Sequence, residues 1–142
     1  MRLRRSAAVS AAALLCLAGA TGVAEAAPAT PHGPSAMVFS VIQGRDAATG
    51  TAQRAVTLSC AYTAEGTHPA PRAACDALGA TGGKLDRLLA APAPDRPCPR
   101  QYAPVTVTAD GVWRGSRIAW QHTFPNPCEM AATLNGNALY AF

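Results

Sequence analysis

The stretch RPCPRQYAP, Arg96–Pro104, sets an arginine two residues after a cysteine and surrounds the pair with three prolines. Pro99 fixes its own φ and pushes Cys98 toward extended geometry, and Pro104 does the same to Ala103. A residue presented in extended form with locked flanks is what a protease cleft accepts as substrate. A loop already stiff has little ordering entropy left to lose on binding. If Cys98 is tied to Cys128, cutting the Arg100–Gln101 bond leaves both new ends in place, and re-ligation competes with product release. That is the physics of a tight-binding substrate mimic. On composition and spacing alone, an arginine in a stiff surface turn is the plainer reading.

Other chemistry finds little support. A serine hydrolase needs a nucleophile, a base, an orienting acid and oxyanion donors. There are three histidines, and no serine sits in a G-x-S-x-G pattern. H-E-x-x-H, a phosphate loop and a dinucleotide fingerprint are absent, and the carboxylates are dispersed. His68 is read as a structural histidine bonded at a helix start rather than a catalytic base. Cys60, Cys75, Cys98 and Cys128 form an even set in a small exported domain, which reads as a disulfide framework with three possible connectivities. Zinc would call for a C-x-x-C or a histidine pair, and neither is present. Sequential pairing would close loops worth about 3 to 4 kcal/mol each in the chain-entropy model. No metal and no cofactor are expected.

These residues belong to a domain that begins after a discarded leader. Arg2, Arg4 and Arg5 precede an apolar run, Ala7–Ala20, too short to span a membrane. Ala24-Glu25-Ala26 follows as an A-x-A site, so residues 1–26 are expected to be a secretory signal peptide. Cleavage after Ala26 is preferred to cleavage after Ala27, and Cys16 is discarded with the leader. Residues 27–35 are Pro-rich and aperiodic, a flexible N-terminal tail that holds His32. Residues 36–142 make one domain. Without the leader, Lys+Arg falls from 12 to 9 and Asp+Glu from 8 to 7, a net charge of +2. So weak and scattered a charge argues against nucleic acid. The protein is expected to be secreted and extracellular, with no membrane partner.

The elements that position the loop follow from periodicity. AMVFSVIQG, Ala36–Gly44, alternates Met37, Phe39 and Val41 against Val38, Ser40 and Ile42. RAVTLSCA, Arg54–Ala61, puts Val56, Leu58 and Cys60 on one face. A helix is predicted from Thr67 or His68 as cap and Pro69 in its first turn, with Ala74, Cys75 and Leu78 inward and Gly79 as stop. Leu85, Leu88 and Leu89 predict a short second helix. Residues 91–104 are a loop. Val105, Val107 and Ala109 form a strand that turns at Asp110-Gly111. The return strand carries Ile118, Trp120, His122 and Phe124, and ends at Pro125–Cys128. ALYAF, Ala138–Phe142, reads as a last strand. The class is therefore α+β: an antiparallel sheet of about five strands with two short helices on one face and two disulfides.

CPRQYAPVTVTADGVWRGSRIAW (Cys98–Trp120), FPNPCEM (Phe124–Met130) and the ALYAF end resemble the Streptomyces subtilisin inhibitor family. PSAMVFSV (Pro34–Val41), RAVTLSCA and EGTHPAPRAAC (Glu65–Cys75) do so as well, and together they cover nearly the whole mature chain. The resemblance implies a secreted, dimeric serine-protease inhibitor on a five-stranded antiparallel sheet with two helices. It implies the pairs Cys60–Cys75 and Cys98–Cys128. It makes Arg100 the acyl side and Gln101 the leaving side of the reactive bond, inside a loop of Pro97, Cys98, Pro99, Tyr102 and Pro104. The expected partners are trypsin-like and subtilisin-like extracellular serine proteases. Arg100 suits the former, and its aliphatic stem suits the broad apolar pocket of the latter. Pro97 departs from the family, which can place a larger apolar side chain there. Full burial of such a side chain is worth about 1.5–3 kcal/mol, so trypsin-like targets are favoured. Tyr102 either contacts the protease or braces the loop. The family dimer uses the face of the first strand, which nominates Val38. The rival readings are a binding module that meets another secreted enzyme, such as a metalloprotease, through a different surface, and a small hydrolase.

Overall fold

A computed structural model describes residues 33–89 and 96–142. The expected leader, residues 27–32 of the tail and the first part of the long loop lie outside them. Five strands form one antiparallel sheet in the order β3-β2-β1-β4-β5. They are β1 (Ala36–Gln43), β2 (Thr51–Cys60), β3 (Ala64–Glu65), β4 (Val105–Trp113) and β5 (Ser116–Phe124). Helices α1 (Pro71–Thr81) and α2 (Pro127–Leu134), with 3-10 turns at Leu85–Leu88 and Ala138–Tyr140, complete the fold. Among the described residues, no helix is long and apolar enough to cross a membrane.

The period-2 pattern of β1 holds at its start, where Met37 and Phe39 are buried and Val38 between them is exposed, but not at its end: Val41, expected with Phe39, is half-buried, and Ile42, expected on the other face, is buried beside a register irregularity in the pairing with β2. β1 is central in the sheet, paired with β2 on one side and β4 on the other. Phe39, Leu58 and Val107 pack with Leu78 of α1 and with Leu85 and Leu139 of the two 3-10 turns. Each such side chain contributes about 1.5–3 kcal/mol on burial. Gly33–Ser35, counted with the tail by composition, are tied to the sheet: Ser35 O accepts from Cys60 N at 3.0 Å and Pro34 O from Gly115 N at 3.0 Å.

Several boundaries differ from expectation. Helix α1 starts at Pro71, not Pro69, after an Ala70 that provides no side-chain cap. The expected capping residue Thr67 is committed elsewhere: its hydroxyl accepts from Thr57 N at 2.9 Å, and its own N–H donates to Thr57 Oγ1 at 3.1 Å. His68 is buried, and its Nδ1 accepts from Ala70 N at 3.1 Å. It is the structural histidine expected. The helix runs past Gly79 and stops at Gly82, which takes the left-handed conformation at φ 63°. The second predicted helix is a single 3-10 turn that buries Leu85 and Leu88.

The hairpin turn lies at Arg114-Gly115, not at Asp110-Gly111. Arg114 and Gly115 have φ of 47° and 81°, the two positive values that a tight hairpin needs. Gly111 sits inside β4 opposite Met37 of β1, where a Cβ would fall 2.2 Å from Ala36 O. Its glycine serves strand approach, not chain reversal. The C-terminal ALYAF is a 3-10 turn rather than a strand, since Asn137 Oδ1 captures Leu139 N at 3.0 Å and starts the turn. The fifth strand is instead the two-residue β3, which periodicity cannot reveal. The segment after β5 begins a helix that was not expected.

Candidate functional site

The hairpin register builds the site. Val105 at the start of β4 pairs with Phe124 at the end of β5, so the chain entering β4 lies beside the chain leaving β5. The contact continues outward: Ala103 N donates to Pro125 O at 2.9 Å. Beyond it, Cys98 is bonded to Cys128 in the first turn of α2, with Cα atoms 5.6 Å apart. The second disulfide joins Cys60 to Cys75, so both expected pairs are formed. Among the described residues, these bonds engage all four cysteines, and no three His, Cys, Asp or Glu side chains come together as a metal site.

Asn126 occupies the gap between loop and helix. It is 5% exposed and caps α2 in an extended conformation. Its Oδ1 accepts from Glu129 N at 2.9 Å, as an N-cap does. That bond fixes which end of the amide faces the loop. The Nδ2 donates to Pro99 O at 3.0 Å and to Gln101 O at 3.1 Å. These two carbonyls flank Arg100 on both sides. Carbonyls one residue apart in an extended chain point opposite ways, and those two apart point the same way. With those of Pro99 and Gln101 turned inward, that of Arg100 is turned out.

Pro97, Pro99, Arg100, Gln101 and Tyr102 are exposed, while Cys98 and Pro104 are half-buried at the anchored ends. Pro104 O accepts from Gly44 N at 2.9 Å. The guanidinium of Arg45 lies 5.1 Å over the ring of Tyr102, which remains 58% exposed. The structure thus places the loop residues named from sequence in one exposed arch anchored at both ends. Val38 is not among them: it is 41% exposed on β1, five residues from Gln43, which pairs with Val105. At the strand rise that is about 17 Å away.

Sequence reasoning missed Asn126 and Arg45. A signal for Asn126 was present: Asn, then Pro at the first helical position, then Glu129 three residues on is a helix-start signature. It was masked by reading Pro125–Cys128 only as the end of a strand. Arg45 carries no local signal, because its partner is 57 residues away.

The subtilisin inhibitor-like family matches over residues 33–126. The chain is 64% identical over 109 residues to subtilisin inhibitor-like protein 8 of Streptomyces virginiae, covering 77% of this chain and 98% of that protein. It is 47% identical over 117 residues to trypsin inhibitor STI2 of Streptomyces longisporus, covering 82% and 78% respectively. Its structure is similar to that of Streptomyces caespitosus sermetstatin, solved in complex with Bacillus licheniformis subtilisin. There the TM-score is 0.74 and the identity 69%, over 78% of this chain and 100% of that one.

Proposed function

The chain belongs to the subtilisin inhibitor-like family, a family of protease inhibitors and not of enzymes, and on that premise we propose that it holds Arg100–Gln101 out to serine proteases as a substrate bond they cannot readily leave. The observation that carries this reading is the grip of Asn126 on the carbonyls at either side of Arg100. A protease serine would attack the Arg100 carbonyl carbon, giving an acyl-enzyme on Arg100 and a free amine on Gln101. Asn126 keeps that amine near the acyl carbon, so the reverse attack outruns departure. The exposed Arg100 suits a trypsin-like primary pocket. Exposed Pro97 offers less apolar volume than the larger side chain that the family can place there, and so favours trypsin-like over subtilisin-like targets. The subtilisin bound to sermetstatin supports serine proteases as the target class. The protein acts outside the cell after loss of residues 1–26. It pairs as a homodimer through the sheet face that carries Val38.

Titration of residual trypsin and subtilisin activity with the mature protein, at equal concentrations, tests this. The expected result is stoichiometric loss of trypsin activity with weaker action on subtilisin. Equal or tighter subtilisin inhibition would remove the ranking. Rapid cleavage after Arg100 without inhibition would remove the reading.

A further inference from the structure

The two sides of the Arg100–Gln101 bond are held unequally. The acyl side is tied to α2 covalently through Cys98–Cys128. The leaving side has no covalent tie nearby. It depends on Asn126 to Gln101 O at 3.1 Å, on Ala103 N to Pro125 O at 2.9 Å, and on whatever restrains Tyr102 between them. The guanidinium of Arg45 stands 5.1 Å over the Tyr102 ring.

Arg45 is itself fixed. Its neighbour Gly44 donates to Pro104 O at 2.9 Å and accepts from Thr106 Oγ1 at 2.8 Å. Thr123 Oγ1 lies 2.8 Å from Thr106 Oγ1 and 3.1 Å from Arg45 O, so its one hydrogen serves one of the two at a time. The next residue closes the turn, with Asp46 Oδ1 accepting from Ala48 N and Asp46 O from Gly50 N. Thr106 is fully buried, a cost for a hydroxyl that this bond to the loop offsets. The buried threonine thus serves to seat the β1–β2 connection against the base of the arch.

We infer that Arg45 is a positioning residue for the proposed inhibition: it clamps Tyr102 so that the leaving segment stays in register after the Arg100–Gln101 bond is cut. The inference rests on the reading of that bond as the reactive one. A cation over an exposed aromatic ring is worth about two- to fivefold in an equilibrium. The intact arch holds the contact fully and the cleaved arch only in part, so its loss should lower the ratio of intact to cleaved protein, with a cost to global folding no larger than the same factor.

The test incubates intact and pre-cleaved protein with catalytic trypsin until both reach the same intact-to-cleaved ratio, and measures the rate of bond re-formation. Parent, Arg45→Ala, Arg45→Lys, Tyr102→Leu and the double variant Arg45→Ala/Tyr102→Leu are compared, with thermal midpoints. The expected result is a two- to fivefold fall in ratio and re-formation rate for Arg45→Ala, largely restored in Arg45→Lys. Removing Arg45 from Tyr102→Leu should then change nothing. An unchanged ratio in Arg45→Ala, or the same loss with and without Tyr102, overturns the clamp while the parent's inhibition stands. A parent that neither inhibits trypsin nor is cut at Arg100–Gln101 overturns the clamp and the reading together.

Discussion

The side-chain amide of Asn126 donates to the carbonyl oxygen of Gln101 at 3.1 Å, and its second hydrogen goes to Pro99 O. One buried amide therefore spans the bond proposed to meet the protease, while its oxygen starts a helix. Asn126→Asp separates these roles. Aspartate caps a helix about as well as asparagine, but it donates nothing and faces two carbonyls. We expect α2 to persist by circular dichroism and trypsin inhibition to weaken about tenfold or more, from two lost bonds of roughly 0.5–1.5 kcal/mol each. Unchanged inhibition would mean that the arch holds without the amide.

Arg100 is exposed and contributes little to the packing of the scaffold. Arg100→Glu should shift stability by no more than about 0.5 kcal/mol. Its charge reversal should nevertheless abolish measurable trypsin binding. Arg100→Lys should retain inhibition with a loss that reflects the missing bidentate pair. Binding that survives Arg100→Glu would place the contact on another surface.

The two disulfides should fail differently. Replacing both Cys98 and Cys128 by serine opens a loop with a sequence separation of 30. Replacing Cys60 and Cys75 opens one of 15. Each costs about 3 to 4 kcal/mol in the chain-entropy model. Only the first frees the arch. At a temperature where both variants remain folded, the first should become a trypsin substrate and the second should still inhibit.

Tyr140 gives the fold an alkaline limit. Its hydroxyl donates to Thr108 O at 2.8 Å. Burial, and secondarily the charge of Asp110, raise its pKa well above the usual tyrosine value. The unfolded chain releases that proton near pH 10, and the folded chain does not. The folded state then binds more protons, so the stability present below pH about 10 declines as pH rises beyond it. Urea midpoints between pH 8 and 11.5 should fall, and Tyr140→Phe should be less stable at pH 8 but flatter above pH 10.

Much of this was legible in the sequence because it depended on local pattern. Met37 and Phe39 against Val38, Val56 with Leu58, and Val105 with Val107 declare their faces by alternation alone. The arch was legible because proline acts on its own dihedral and its neighbour's. What was missed depended on distant partners. Asp110-Gly111 has turn chemistry, but the glycine answers to β1 across the sheet. Thr67 has capping chemistry, but Thr57 claims it. Ala138–Phe142 has strand composition, and Asn137 turns it into a 3-10 segment. Arg45 could not be linked to Tyr102 before the β4–β5 register and its threonines were known.

The most direct measurement follows the fate of one bond. Both cysteines of the Cys98–Cys128 pair flank Arg100–Gln101 in sequence, so a cut there leaves one covalent molecule. Catalytic trypsin incubated with the protein to equilibrium, followed by mass analysis with and without reductant, reads that cut. We expect a partial gain of one water without reductant, and two fragments divided after Arg100 once the disulfide is reduced. Intact protein should persist at equilibrium, and stoichiometric trypsin should be inhibited throughout. Complete cleavage with trypsin left active, or a first cut at another bond, would contradict it.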